Sequence, residues 1–186
     1  MKVSQNGAHL IPGLLLAALV LLADQYSKWL VMGAAQAKTA GFGAWLLQAA
    51  AQEQLQGLPA AFGVKPLAGF LNLVFVWNPG VSFGIFSAAQ MPLLLVVAAL
   101  AIAAVLLVLL FRAEGCFAAA AYGLIIGGAL GNVLDRARFG AVLDFIDVHV
   151  KQYHWPAFNI ADSSICLGAG LLILAAFTET EKEKKK

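Results

Sequence analysis

Two aspartates, Asp144 and Asp162, stand where an ionised side chain is costly. Asp162 opens an apolar run that is long enough to enter a lipid bilayer, in "FNIADSSICLGAGLLILAAF", and Asp144 lies in the connection before it. Neither has a cationic residue at helical spacing. Two carboxyls that lie close together and partly dehydrated cannot both ionise easily, so one keeps a proton while the other acts as a base. Such a pair can activate a water and then protonate a leaving amine without a metal.

Further polar residues fall at the same ends of the apolar segments, and polar groups in or near a membrane are candidates for function. Asp24 and Lys28 share a helix face in the order that favours an ion pair, so a structural pair is the simpler interpretation of them. Asp135, with the arginines that follow it, also suits the capping of a helix end. The remaining candidates are Asn78, Asn132, Arg136 and Asn159.

Other catalytic chemistries find less support in the sequence. Ser163 and Ser164 follow Asp162, but no histidine or lysine has a spacing that assigns it as their base. No cluster of His and Cys suggests zinc, so neither a metal nor a cofactor is expected. Cys116 and Cys166 both lie in apolar runs, where a buried structural thiol is the simplest interpretation.

The elements that must position these residues are membrane spans. The 186-residue chain is 61% hydrophobic and 12% charged, with a mean hydropathy of +0.83. Soluble domains carry about 25% charged residues, so the composition predicts an integral membrane protein. The net charge of +2 gives no reason to expect a nucleic-acid partner.

Four apolar segments, at about 10–32, 91–111, 116–134 and 160–177, are long enough for helices that cross a bilayer. We predict a single membrane domain over 1–186, with an extracytoplasmic insertion at 33–90. Within it, "FGAWLLQAAAQEQLQ" predicts a helix on the membrane surface, and strand formers on both sides of "NPG" predict a small β-hairpin. Gly123, Gly127 and Gly131 lie along one face of the third span and predict close helix packing.

Four spans place both termini on one side of the membrane. Six Lys and Arg residues fall on each side, so the positive-inside rule does not decide the orientation by count. The clustered tail "EKEKKK" favours cytoplasmic termini.

Four blocks of the sequence resemble the lipoprotein signal peptidase family, also called signal peptidase II: "ADQYSK", "NPGVSFGIF", "GGALGNVLDRARFGAVLDFIDVH" and "FNIADSSI". They occur in the family's order and reach from the first span to the fourth. The resemblance implies a four-helix enzyme of the bacterial inner membrane, with cytoplasmic termini, a small periplasmic sheet and an active site near the periplasmic face. It also implies an aspartyl endopeptidase that cleaves diacylglyceryl-modified prolipoproteins immediately before the lipidated cysteine.

The same resemblance assigns roles to individual residues. Asp144 in "VLDF" and Asp162 in "NIAD" match the catalytic pair. The residues that would hold the substrate backbone or tune the pair are Asn78, Asn132, Arg136 and Asn159. Those that would brace the site are Asp24, Lys28 and Asp135. The expected partners are lipid-modified prolipoproteins and membrane lipids, and the expected oligomeric state is a monomer.

Two other functions stay open from the residues alone. "DRARFGAVLDFID" superficially resembles the metal-binding motif of a lipid phosphotransferase family, the CDP-alcohol phosphatidyltransferases. That motif needs Asp-Gly where this chain has Asp135-Arg136, and Asp147 follows Asp144 by three residues rather than four. A small proton-coupled transporter would use intramembrane carboxylates as proton carriers, although transporter sites usually lie near the midplane.

Overall fold

The computed structural model describes residues 9–34, 41–47, 61–80 and 91–184. Its helices are α1 (Leu10–Ala34), α2 (Phe42–Leu47), α3 (Met91–Phe111), α4 (Cys116–Phe139) and α5 (Ile160–Lys184). Its strands are β1 (Ala61–Ala68), β2 (Leu71–Asn78), β3 (Val142–Val150) and β4 (Tyr153–His154). Among the described residues, the helices long and apolar enough to cross a membrane are Leu10–Ala34, Leu93–Phe111, Cys116–Phe139 and Ile160–Phe177. The predicted four-helix membrane architecture is confirmed.

Helix α4 is the centre of the bundle and packs against α1, α3 and α5. A Cβ atom at Gly123 or Gly127 would lie 2.5 Å from a carbonyl oxygen of α1, so only glycine allows this approach. A Cβ atom at Gly131 would lie 2.7 Å from Oδ2 of Asp24. The predicted close packing along this face is confirmed, and its last glycine leaves room for a carboxylate.

The outer faces of the spanning helices are apolar, because the solvent around them is hydrocarbon. Cys116 and Cys166 belong to these faces and are both exposed. Their interpretation as buried thiols was wrong, since an apolar run in a membrane helix does not imply burial inside the protein.

The sheet is antiparallel, with the strand order β1-β2-β3-β4. Strand β2 pairs with β1 on one edge and with β3 on the other, and the turn between β1 and β2 is formed by Gly69 and Phe70. The predicted hairpin across "NPG" therefore differs from the observed one, and its second strand lies outside the described residues. The small predicted sheet is present, and it includes β3, which the sequence did not reveal as a strand.

Helix α2 and the sheet lie over one end of the bundle, and aromatic side chains pack between them and the helix ends. Trp45 of α2 is fully buried and packs on Phe139, the last residue of α4. The guanidinium of Arg138 stacks on the Trp45 ring, 4.0 Å from its centroid, and donates to the Trp45 carbonyl oxygen. Of the predicted surface helix only the start, α2, can be described, because residues 48–60 lie outside the described ranges.

Candidate active site

Asp162 is fixed at the start of α5 by a reciprocal cap. Asn159 precedes the helix, and its Oδ1 accepts a hydrogen bond from the Asp162 N–H at 2.9 Å. The Asn159 N–H in turn donates to Oδ2 of Asp162 at 3.3 Å. This pattern is a capping box, which satisfies two helix-end donors at once and sets the direction of both side chains.

Asp144 comes to the same place from β3. It is 2% exposed, and its two oxygens accept hydrogen bonds from Asn78 at 3.0 Å and from the Asn159 side chain at 2.8 Å. The pairing of Asn78 with Val142 in the sheet carries the amide of Asn78 to the start of β3. The end of β2 and the start of α5 therefore hold this carboxyl from two sides.

Asn159 and Asn132 join the two aspartates into one cluster. Asn132 donates to Oδ1 of Asp162 at 2.7 Å, and Asn159 donates to the side-chain oxygen of Asn132 at 3.3 Å. Asn159 thus touches both carboxyls, Asp144 through its side-chain amide and Asp162 through its cap. The structure brings together the two acids that the sequence singled out.

The environment of Asp144 changes its acidity. Burial raises the pKa of Asp144 to about 6; the negative charge of Asp162 adds to this rise, and the amide hydrogen bonds from Asn78 and Asn159 oppose it. A carboxyl with such a pKa exchanges its proton near neutral pH, which suits general acid–base catalysis.

A buried ionic network lies behind the pair. Nζ of Lys28 is 2.8 Å from Oδ2 of Asp24 and 2.8 Å from Oδ2 of Asp135, and the three side chains are almost completely buried. The side-chain amide of Gln25 donates to the same two carboxylates, at 3.1 Å and 2.9 Å. The sequence analysis did not select Gln25, although an amide beside Asp24 within an apolar segment was a usable signal.

Each carboxylate of this network also binds one backbone N–H next to the acid pair. Asp24 accepts from the N–H of Ala161, which precedes Asp162, at 3.0 Å. Asp135 accepts from the N–H of Leu143, which precedes Asp144, at 3.2 Å. The ion pair Asp24–Lys28 thus also positions the backbone next to the acid pair, which its helix spacing alone did not show.

Arg136 supplies a positive charge beside the two acids. It interacts electrostatically with Asp162, Asp135 and Asp144, and its Nη1 donates to the Asn132 carbonyl oxygen at 3.5 Å. Its Nε is buried and has no hydrogen-bond partner within the described part of the chain. A guanidinium beside two acids can bind a carbonyl oxygen of a ligand.

The residues required by the other chemistries lie elsewhere or are occupied. Asp147 accepts hydrogen bonds from Asn72 at 2.8 Å and faces His154 at 2.9 Å, so it does not join Asp144 as a metal-binding pair. Ser163 donates to the Asn159 carbonyl oxygen at 2.9 Å, so its hydroxyl proton is engaged in a helical back-bond. Within the described ranges, no group of three or more His, Cys, Asp or Glu side chains could hold a metal ion.

Comparison with known proteins points to one family. The family model described as signal peptidase (SPase) II matches residues 16–178. A lipoprotein signal peptidase of Syntrophotalea carbinolica is 37% identical over 169 residues, which cover 89% of this chain and 91% of that protein. One from Polynucleobacter necessarius is 37% identical over 166 residues, covering 86% and 85%.

A solved structure described as a bacterial membrane enzyme has a similar fold. It superimposes with a TM-score of 0.68 and 28% sequence identity, over 94% of this chain and 93% of that one. The likeness extends over the bundle and the sheet together, since nearly the whole of both chains is covered.

Proposed function

This chain belongs to the signal peptidase II family, the aspartic peptidases that remove signal peptides from prolipoproteins, and from that premise we propose that Asp144 and Asp162 are its catalytic pair. The observation that carries the proposal is the contact of Asn159 with both carboxyls. One residue that binds both acids, Asp144 through its side-chain amide and Asp162 through its backbone N–H, fixes their relative position, as a dyad requires. Family membership does not favour the lipid phosphotransferase or the transporter.

In the proposed reaction one proton is shared by the pair. Asp144, whose pKa is raised to about 6, carries this proton and donates it to the oxygen of the scissile carbonyl. Asp162 removes a proton from a water, whose oxygen attacks the carbonyl carbon. When the C–N bond breaks, Asp162 gives its proton to the leaving amine, and the intermediate returns a hydroxyl proton to Asp144.

The other residues of the cluster hold the substrate or the pair. Arg136, whose guanidinium lies near both acids, binds a backbone carbonyl of the substrate, while Asn132 and Asn159 keep Asp162 in place. Asn78 fixes Asp144 from the end of β2. The bracing residues act through the two backbone N–H groups that Asp24 and Asp135 bind.

We assign as substrate a prolipoprotein whose cysteine carries a diacylglyceryl group, cut immediately before that cysteine. Purified enzyme is expected to cleave such a substrate and to leave the same peptide with an unmodified cysteine uncut. An excess of a metal chelator should change the rate by less than about twofold, because the acid pair needs no Lewis acid. Loss of cleavage with chelator, restored by a divalent metal, would contradict the acid-pair mechanism.

The shared proton predicts the pH dependence of the free enzyme. The reactive form carries a proton on Asp144, so it is fully present below the pKa of this group and is lost as pH rises through about 6. kcat/KM should therefore fall with rising pH on its alkaline limb, about tenfold per pH unit. Bound substrate excludes water and raises this pKa further, so the limb of kcat should lie at higher pH. A kcat/KM that rises through about pH 6 to a plateau would show that the reactive form has Asp144 ionised, and it would contradict the shared proton.

We further propose that the termini are cytoplasmic, that 33–90 forms an extracytoplasmic insertion in a single membrane domain, and that the enzyme acts as a monomer at the periplasmic face of the inner membrane. The support is that α5 begins at the acid pair and ends at the Lys-rich tail, so the pair and the tail lie at opposite ends of a span. An alkaline phosphatase fused after Lys186 should be inactive in cells. An active fusion would reverse the orientation.

A further inference from the structure

We propose that the diacylglyceryl chains of the substrate lie in a groove between the 155–158 segment and α5, an inference that rests on the proposed function. The groove has a volume of about 370 Å³. One wall is the segment from Trp155 to Phe158, and the other is the face of α5 formed by Asp162, Ser163 and Cys166. It begins at one of the two proposed catalytic acids.

The walls of this groove suit hydrocarbon better than a peptide strand. The Trp155 N–H already donates to Val148 O at 2.8 Å, and the Phe158 N–H donates to Ile146 O at 3.1 Å. The Phe158 carbonyl oxygen accepts from two backbone N–H groups of β3, and Pro156 has no N–H. A strand of substrate would find few partners here, whereas acyl chains need none.

The direction of the groove also fits the substrate. Cys166 lies one helical turn beyond Asp162 in the membrane-spanning part of α5, so the groove leads from the acid into the hydrocarbon layer. The lipidated cysteine is the residue directly after the cut, and its chains must leave the site close to the reacting carbonyl. A groove that starts at Asp162 and opens to lipid provides this exit.

The two exposed thiols allow a direct test, because Cys166 lines the groove and Cys116 lies at the other end of the bundle. The Asp144→Asn enzyme in lipid nanodiscs is treated with a maleimide, and the labelling rate of each cysteine is followed by mass spectrometry. A bound diacylglyceryl lipopeptide should slow labelling of Cys166 by about tenfold or more and leave Cys116 unchanged. The same peptide without acyl chains should leave both rates unchanged.

Two outcomes would contradict the assignment of the groove to the acyl chains. Equal protection of Cys166 by the peptide without acyl chains would place the signal peptide there, and no protection by a lipopeptide shown to bind would leave the groove without a role in binding. Neither outcome would contradict the assignment of the catalytic pair. Cleavage of the lipopeptide by Asp144→Asn, in contrast, would contradict the pair and leave the groove standing.

A substitution that fills part of the groove provides a second test, in the active enzyme. Cys166→Trp should raise KM for the lipopeptide by about tenfold, since the indole excludes a few methylene groups of the chain. Leu167→Trp is the matched control, because Leu167 is the next residue, is 58% exposed and does not line the groove. Equal KM values for the two variants would contradict the assignment.

Discussion

Replacement of either Asp144 or Asp162 by asparagine is expected to abolish cleavage of a prolipoprotein, with kcat lower by about 10³- to 10⁴-fold. An amide can neither take a proton from the attacking water, as Asp162 does, nor give one to the scissile carbonyl oxygen, as Asp144 does. The fold should survive, because both side chains already lie among amide hydrogen bonds. In Asp144→Asn, one oxygen that accepts a hydrogen bond becomes an NH2 group that faces the donor group of Asn78 or Asn159, which lowers the free energy of unfolding by about 1 kcal/mol. The substitution also removes a buried charge.

The matched control for these variants is Asp147→Asn, on the same strand. Its carboxylate is bound by Asn72 and faces His154, away from the pair, so its activity should stay within about twofold of wild type. Cleavage of a lipid-modified substrate is followed by gel shift, and folding is checked by thermal unfolding in the same detergent. A folded Asp144→Asn or Asp162→Asn enzyme with normal activity would defeat the assignment.

The sequence predicted the spans and the residues of the site better than it predicted how they meet. Spans are long apolar runs, and a charged residue inside such a run can be recognised as a functional candidate from the sequence alone. Family motifs then related Asp144 to Asp162. Their common contact with Asn159 depends on β3 returning beside the start of α5, which is a long-range pairing that no local pattern encodes.

The features that the sequence analysis missed show why these contacts were harder to predict. β3 contains Asp144 and Asp147 among its apolar residues, and these acids made the segment resemble a polar loop. Strand β2 is rich enough in strand-forming residues to be recognised, but its neighbours in the sheet depend on tertiary contacts and not on the turn that follows it. The direction of each cysteine, inward or toward lipid, is likewise invisible when every residue around it is apolar.

Substitution of Lys28 by methionine should give the largest loss of stability, because it leaves Asp24 and Asp135 buried with no shared cation. Removing one partner of a buried ion pair costs about 3–5 kcal/mol. Both carboxylates would move or take up protons, and the N–H groups of Ala161 and Leu143 would lose their fixed acceptors. We therefore expect a lower unfolding temperature and a fall in kcat with a smaller change in KM, since the pair is displaced while substrate contacts remain.

The Lys28→Met enzyme also separates positioning from general destabilisation. The charge of Lys28 lowers the pKa of Asp144, so its removal should raise that pKa and move the alkaline limb of kcat/KM to higher pH. A triple variant, Asp24→Asn with Lys28→Met and Asp135→Asn, removes the unpaired charges yet keeps an amide oxygen as acceptor for each backbone N–H. It should recover most of the lost stability, because neutral replacement of a buried ionic group is often tolerated. A Lys28→Met enzyme with wild-type stability and an unmoved pH limb would show that the network neither supports the fold nor acts on the pair.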